Sequence, residues 1–109
     1  ATSLGPYLVT KDELEPYRTN DRYALEMVAR INGRELSRGN VKDMYYSFGK
    51  MIERASADVT LYPGDVIGSG TVGTGCLLEL GPDVHDWLQP GDTVELEITG
   101  LGCLRNTIV

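Results

Sequence analysis

Basic charge is scarce in this chain of 109 residues: 10 Lys and Arg stand against 16 Asp and Glu, a net charge of −6. That balance excludes nucleic acid and anionic membrane surfaces as partners, since both are held by basic patches. Histidine occurs once and cysteine twice. A secreted disulfide scaffold is much denser in cysteine, and the lone His85 has no ligand-spaced His or Cys for zinc. Cys76 and Cys103 are therefore expected as buried free thiols, and His85 as a surface side chain in the loop GPDVHDWLQP. No apolar run reaches the length that spans a bilayer, and no leader-like start is visible, so a cytoplasmic location is expected.

Glycine is what the chain has in plenty, 13 residues in all. The length suits one domain with one core, burying roughly two thirds of its unfolded surface. High glycine means many turns and points to a mostly β, α+β fold. The opening phrase TSLGPYLVT and the closing phrase LRNTIV lack the polar fray of natural termini, and a fragment is expected.

The most informative segment is internal. LYPGDVIGSGTVGTGCL at Leu61–Leu77 matches LQPGDTVELEITGLGCL at Leu88–Leu104 with an offset of 27 residues. The shared residues set backbone shape. Pro presets φ at the first central position of a tight turn, and Gly accepts positive φ at the second, as in Pro63-Gly64 and Pro90-Gly91. Duplication and shared turn chemistry both explain the match. If the two units pack alike, Cys76 and Cys103 become neighbours.

Elsewhere, short strands are predicted at Leu4–Thr10, Tyr23–Asn32, Arg34–Arg38, Asp65–Gly68, Cys76–Leu80, Thr93–Thr99 and Cys103–Val109. Asn32-Gly33 is a strong hairpin signal. Lys11–Pro16 reads as a charged connector with one helical turn. One main helix is expected from the cap Asn40 to Ser56–Asp58. It places Met44, Phe48, Met51, Ile52 and Ala55 in one apolar stripe, read as core packing. Trp87 is expected to cap the core edge.

The glycine-rich insert GSGTVGTG admits three readings. Gly68, Gly70 and Gly73 spell G-x-G-x-x-G, but the segment after them is too short and strand-like for the helix a dinucleotide site needs. A structural reading, relief of crowding, suits Gly73 and Gly75, which Gly100 and Gly102 repeat. A third reading is an anion cradle: amides freed by glycine, with the Ser69 and Thr71 hydroxyls, can hold a carboxylate without a basic side chain.

Together the phrases Leu4-Gly5-Pro6 with Val9-Thr10, Asn32-Gly33, Asn40–Met44, Ser56, Thr60–Thr71, Leu88–Asp92 and Ile98–Gly102 with Leu104 and Asn106 resemble the C-terminal part of the fumarylacetoacetate hydrolase family. The resemblance spans the whole chain, so residues 1–109 are expected to be the C-terminal part of one such catalytic domain. It implies a mixed β-roll with one main helix. It implies parent enzymes acting on small β-diketo or 2-oxo acids by carbon–carbon hydrolysis, decarboxylation, isomerisation or hydration. Mg²⁺ or Mn²⁺ would hold the enol or enolate form in the parent. By the same resemblance Thr71 binds a substrate carboxylate, with Gly70 supplying backbone. Position 72 is Val where many members have Pro. The family's metal-binding E-x-E pair and Asp, and its active-site lysine, lie upstream of the Leu-Gly-Pro phrase. No catalytic or metal residue is therefore assigned to this chain, which alone is expected to be inactive. Glu95 and Glu97 form an E-x-E on an alternating strand, read as a solvated face. Implied partners are a small oxo-acid substrate and either the missing N-terminal part or a second subunit of a homodimer. The alternative from a different class is an inert β-rich binding or dimerisation module of the same fold.

Overall fold

Asn32 and Gly33 both adopt positive φ, 51° and 79°, the signature of the tight turn that matches strand twist. They join β3 (Glu26–Ile31) to β4 (Arg34–Asn40). This hairpin is half of a four-stranded antiparallel sheet in the order β4-β3-β5-β6 in the computed structural model, which describes residues 2–109. The other half is the hairpin of β5 (Thr93–Ile98) and β6 (Gly102–Thr107). A short ladder of β1 (Arg18–Thr19) and β2 (Arg22–Tyr23) precedes it. The helices are brief: α1 (Lys11–Leu14), α2 (Phe48–Ala55) and α3 (Leu77–Leu80). The chain is mostly sheet with a few short helices, the expected fold class.

Alternation along β5 sets which side chains share a face but not the expected burial, since Leu96 is 49% exposed while the Glu95 side chain is 20% exposed. Val94, Leu96 and Ile98 pair with Ile31, Ala29 and Met27 on one face of the sheet. Glu95 and Glu97 pair with Arg30 and Val28 on the other. There Arg30 Nη1 donates to Glu97 Oε2 at 2.6 Å, and Arg105 Nε lies 3.4 Å from Glu95 Oε1. The Glu97 carboxylate raises the Arg30 pKa above its ordinary value. Leu36 is an extra residue in β4, since Ala29 faces Ser37 and Arg30 faces Glu35. Such a bulge bends and twists the edge strand. The core is small: Leu25, Val28, Ile31 and Val41.

Several expectations are corrected. Leu4–Thr10 is irregular. Its role is packing against glycine: a Cβ on Gly102 would lie 2.9 Å from Pro6 Cγ and from Tyr7 Cε2, and one on Gly100 3.2 Å from Leu14 Cδ2. The Gly-Leu-Gly phrase is thus the bare seat for the N-terminal segment. The predicted strand Tyr23–Asn32 breaks at Ala24-Leu25, where Ala24 N donates to Tyr17 O and Leu25 O accepts from Val41 N. Asp65–Gly68 is irregular, and Cys76–Leu80 is the end of a turn running into α3. Leu77 and Leu80 of this helical turn line a small cavity together with Ala29, Ile31 and Leu96 of the sheet.

The main helix also starts later than expected. Asn40 caps only a 3₁₀ turn, Val41–Asp43, accepting from Lys42 N at 3.1 Å. Met44 is then extended, with φ −56° and ψ 139°. Ser47 supplies the true cap of α2, its Oγ accepting from Lys50 N at 3.4 Å. The end is as read: Ser56 Oγ donates to Ile52 O at 2.8 Å, and Asp58 turns left-handed. Phe48 and Ile52 remain 40% and 51% exposed, so the stripe faces a groove rather than the core. Trp87, 55% exposed, caps no core edge, and both cysteines are free and exposed rather than buried. Among the described residues no helix is long and apolar enough to cross a membrane.

Candidate functional site

An open groove of about 1070 Å³ lies beside the end of the sheet. Its apolar wall is Met27 and Ile98 from the sheet, with Met44, Phe48 and Ile52 from α2 and the segment before it. Tyr23 is placed in the groove by its tilted contact with Phe48, ring centroids 6.4 Å apart. The segment between the 3₁₀ turn and α2 is held by Arg22, whose Nη2 donates to Tyr45 O at 2.9 Å. Amphipathicity therefore does produce one apolar face on α2, but that face lines a site.

The opposite rim is the glycine-rich loop. Ser69, Gly70, Thr71, Val72 and Gly73 all border the groove. Gly70 has φ +87°, a conformation that side chains strain to adopt. Among the described residues, none accepts a hydrogen bond from the amides of Gly68, Ser69, Gly70 or Thr71. Four successive amides without an internal acceptor, beside two hydroxyls, are the raw material of an anion cradle. The loop closes with a tight turn in which Gly75 N donates to Val72 O at 2.9 Å, and Glu79 Oε2 accepts from Thr74 N at 2.6 Å.

Cations also border the groove, and its two arginines are already engaged. Arg38 grips Glu35 with two hydrogen bonds, Nε to Oε1 at 2.8 Å and Nη2 to Oε2 at 2.6 Å, and its Nη1 meets Glu26. These carboxylates, Glu35 foremost, hold the guanidinium pKa well above its ordinary value. Arg18 bonds Asn20 O and pairs with Glu15, and Lys11 lies 4.0 Å from Glu15. Asp21 and Asp43 add negative charge at the same rim. An anion entering here meets the loop amides and the exposed Lys11 ammonium as donors that the arginines do not supply.

Gly70 and Thr71 are thus brought to this groove, together with Phe48 and Ile52 of the α2 stripe. Two neighbours there carried no functional reading in the sequence. Gly39 and Asn40, at the end of β4, border the groove directly across from Val72. In the sequence Gly39 carried no reading, and Asn40 was read as a helix cap and as the start of the family phrase Asn40–Met44. Among the described residues no group of three His, Cys, Asp or Glu side chains converges to hold a metal ion. The E-x-E of Glu95 and Glu97 is turned to Arg105 and Arg30 instead. The residues present do not fit a divalent cation site. His85 lies away from the groove, its Nδ1 2.5 Å from Asp86 O.

Comparison with known proteins matches residues 1–109 to the family model described as fumarylacetoacetate (FAA) hydrolase C-terminal. An uncharacterised protein of Staphylococcus epidermidis is 38% identical over 109 residues, 99% of this chain and 33% of its own. A fumarylacetoacetate hydrolase from the psychrophile Exiguobacterium antarcticum superposes with a TM-score of 0.74 at 31% identity, covering 95% of this chain and 34% of that one. The maleylpyruvate hydrolase of Sphingobium sp. SYK-6, in complex with manganese(II) ion and pyruvate, superposes at 0.71 with 28% identity, covering 96% and 34%. The chain spans about a third of the length of the relatives it matches.

Proposed function

The chain belongs to the fumarylacetoacetate hydrolase family, and from that premise we propose that it forms one wall of the substrate pocket of a metal-dependent enzyme acting on small β-diketo or 2-oxo acids. The chemistry is carbon–carbon hydrolysis, decarboxylation, isomerisation or hydration of such acids. The observation that carries this reading is the run of unpartnered amides at Gly68–Thr71 on the rim of an apolar groove. A 2-oxo acid has a carboxylate at one end and carbon at the other, and the groove offers a donor rim opposite an apolar wall. Gly70 and Thr71 bind the carboxylate, while Phe48 and Ile52 take the carbon chain.

Mg²⁺ or Mn²⁺ supplies a Lewis acid for the developing enolate when bound. Its ligands belong to the part of the polypeptide that the relatives carry beyond this segment, since the described residues provide no cluster for it. That part, or a second subunit, is the partner that completes the pocket, and the exposed Tyr45, Tyr46 and Phe48 offer it apolar surface. The two exposed, unpaired cysteines suit a reducing compartment such as the cytoplasm.

Thr71→Val tests the reading. In the full-length protein that carries this chain, loss of a hydrogen bond to a charged group costs about 1.5 kcal/mol or more, or roughly tenfold in affinity for pyruvate. Isothermal titration measures it. Unchanged pyruvate affinity in Thr71→Val rejects the carboxylate role.

A further inference from the structure

Resting on the reading that Gly70 and Thr71 hold the substrate carboxylate, we infer that Gly39 and Val72 form a lock that positions the cradle against the sheet. Two glycines near the groove are glycine for different reasons. Gly70 has φ +87° and open space where a Cβ would stand, so its backbone conformation requires glycine. Gly39 has no such φ, and its constraint is space: an added Cβ would lie 2.6 Å from Val72 Cγ1 and 3.5 Å from Val72 Cγ2. The Val72 isopropyl group fills the room that Gly39 leaves empty.

Val72 is gripped from the other side as well. Its carbonyl accepts from Gly75 N at 2.9 Å, and a Cβ on Gly75 would lie 2.8 Å from that same oxygen. The residue after Thr71 is therefore pinned between the end of β4 and the turn that closes the loop. Thr71 and Val72 share one planar peptide unit, so a shift of the Val72 backbone reorients the peptide that follows Thr71. A methyl group at position 39 overlaps Val72 Cγ1, so the Val72 side chain has to turn or move by about 1 Å to reach ordinary carbon–carbon contact. A displacement of that size at a positioning residue is enough to spoil ligand geometry. Gly39 and Val72 touch no substrate. They are positioning residues that act through Thr71.

The lock is tested by a pair of substitutions whose sizes compensate. Gly39→Ala in the full-length protein is expected to weaken pyruvate binding about tenfold or more and to raise hydrogen exchange at Thr74 and Gly75, the loop amides that have internal acceptors. Adding Val72→Ala removes both γ carbons and leaves the Val72 Cβ position 3.7 Å from the new methyl, an ordinary contact. The double variant is therefore expected to recover affinity and exchange protection to within about twofold, since two neighbours that share one contact are not additive. Wild-type exchange in Gly39→Ala, or a double variant no better than Gly39→Ala, overturns the lock. If Gly39→Ala lowers Tm enough to prevent titration, the pair decides by Tm: restoration by Val72→Ala supports the lock and its absence overturns it. Thr71→Val is titrated alongside. An unchanged affinity there, with exchange still rising in Gly39→Ala and falling back in the double variant, rejects the carboxylate reading and leaves the lock standing.

Discussion

The two Pro-Gly-Asp segments begin as copies and end as different structures. Both turns are the same. Gly64 and Gly91 have φ of 100° and 97°. Asp65 N donates to Tyr62 O at 3.1 Å, and Asp92 N to Gln89 O at 3.0 Å. Each aspartate closes its own turn, Asp65 Oδ2 accepting from Tyr62 N at 2.8 Å and Asp92 Oδ2 from Gln89 N at 2.7 Å. Beyond the turns they part. The second turn is woven into the sheet, with Gly91 N bonded to Ile108 O, Ile108 N to Asp92 O, and Asn32 clamping Asp92 and Thr93. The first turn leads into glycines that pair with no strand and face the groove. Four residues of turn chemistry set a local bend, while the next six decide whether the bend serves a sheet or a site. The equivalence of the later glycines fails as well: Gly100 and Gly102 have positive φ, whereas Gly73 and Gly75 do not. The match is shared turn chemistry, and Cys76 and Cys103 lie in unlike settings, one capping α3 and one in β6.

The largest effect is expected where the second turn meets the hairpin. Asn32 holds left-handed φ, accepts from Thr93 N at 2.9 Å and donates to Asp92 Oδ1 at 2.8 Å. Asn32→Ala loses the bond to the Thr93 amide and gains left-handed strain, together about 2 kcal/mol. Urea unfolding measures it, and a loss under about 0.5 kcal/mol, the size of an ordinary surface change, removes the clamp from the account. No equivalent of Asn32 exists at the first turn among the described residues.

A smaller effect separates the turns themselves. Gly91→Ala and Gly64→Ala impose the same backbone strain in open space. Gly91→Ala is expected to cost about 1–2 kcal/mol because β5 and β6 hold the turn in place. Gly64→Ala is expected to cost less, since its flanks are free to relax. Equal shifts in the denaturation midpoint break the comparison.

The smallest effect is acid dependence. The Gln89 amide, with help from Asn32, holds the Asp92 pKa below the usual carboxylate value. A folded-state pKa below the unfolded one adds stability that is fully present above about pH 4 and fades as pH falls through the depressed value. Asp92→Asn should flatten the acid limb of a stability profile taken between pH 2 and 5. A parallel profile in wild type and variant contradicts the assignment.

The parts legible in the sequence are those whose cause is local or strictly periodic. Asn32-Gly33 turned as read because both residues tolerate positive φ. Thr93–Ile98 is a strand, as its alternation implied, but the expected buried and wet faces are not found: Leu96 is exposed and Glu95 half-buried. The glycine-rich insert admitted an anion cradle as one of three readings, and only the family resemblance singled out Gly70 and Thr71. What escaped depended on neighbours distant in sequence. The apolar stripe on α2 was legible as a stripe, but nothing in its period says whether a core or a groove stands opposite. Cys76–Leu80 has apolar residues at a spacing that suits strand or helix, and Leu77–Leu80 forms one helical turn. Gly39 looked like any glycine until Val72, 33 positions on, was found in the space above it.

By itself the amino-acid sequence determined the turns, the alternating strand, the net negative charge and the family phrases, because each depends on covalent geometry or on residues a few positions apart. Tertiary structure alone decided which apolar face borders the groove, which cations are already paired, and why Gly39 has no side chain. Those outcomes come from packing at van der Waals contact between residues far apart in the chain. There a single methyl group decides whether two segments fit.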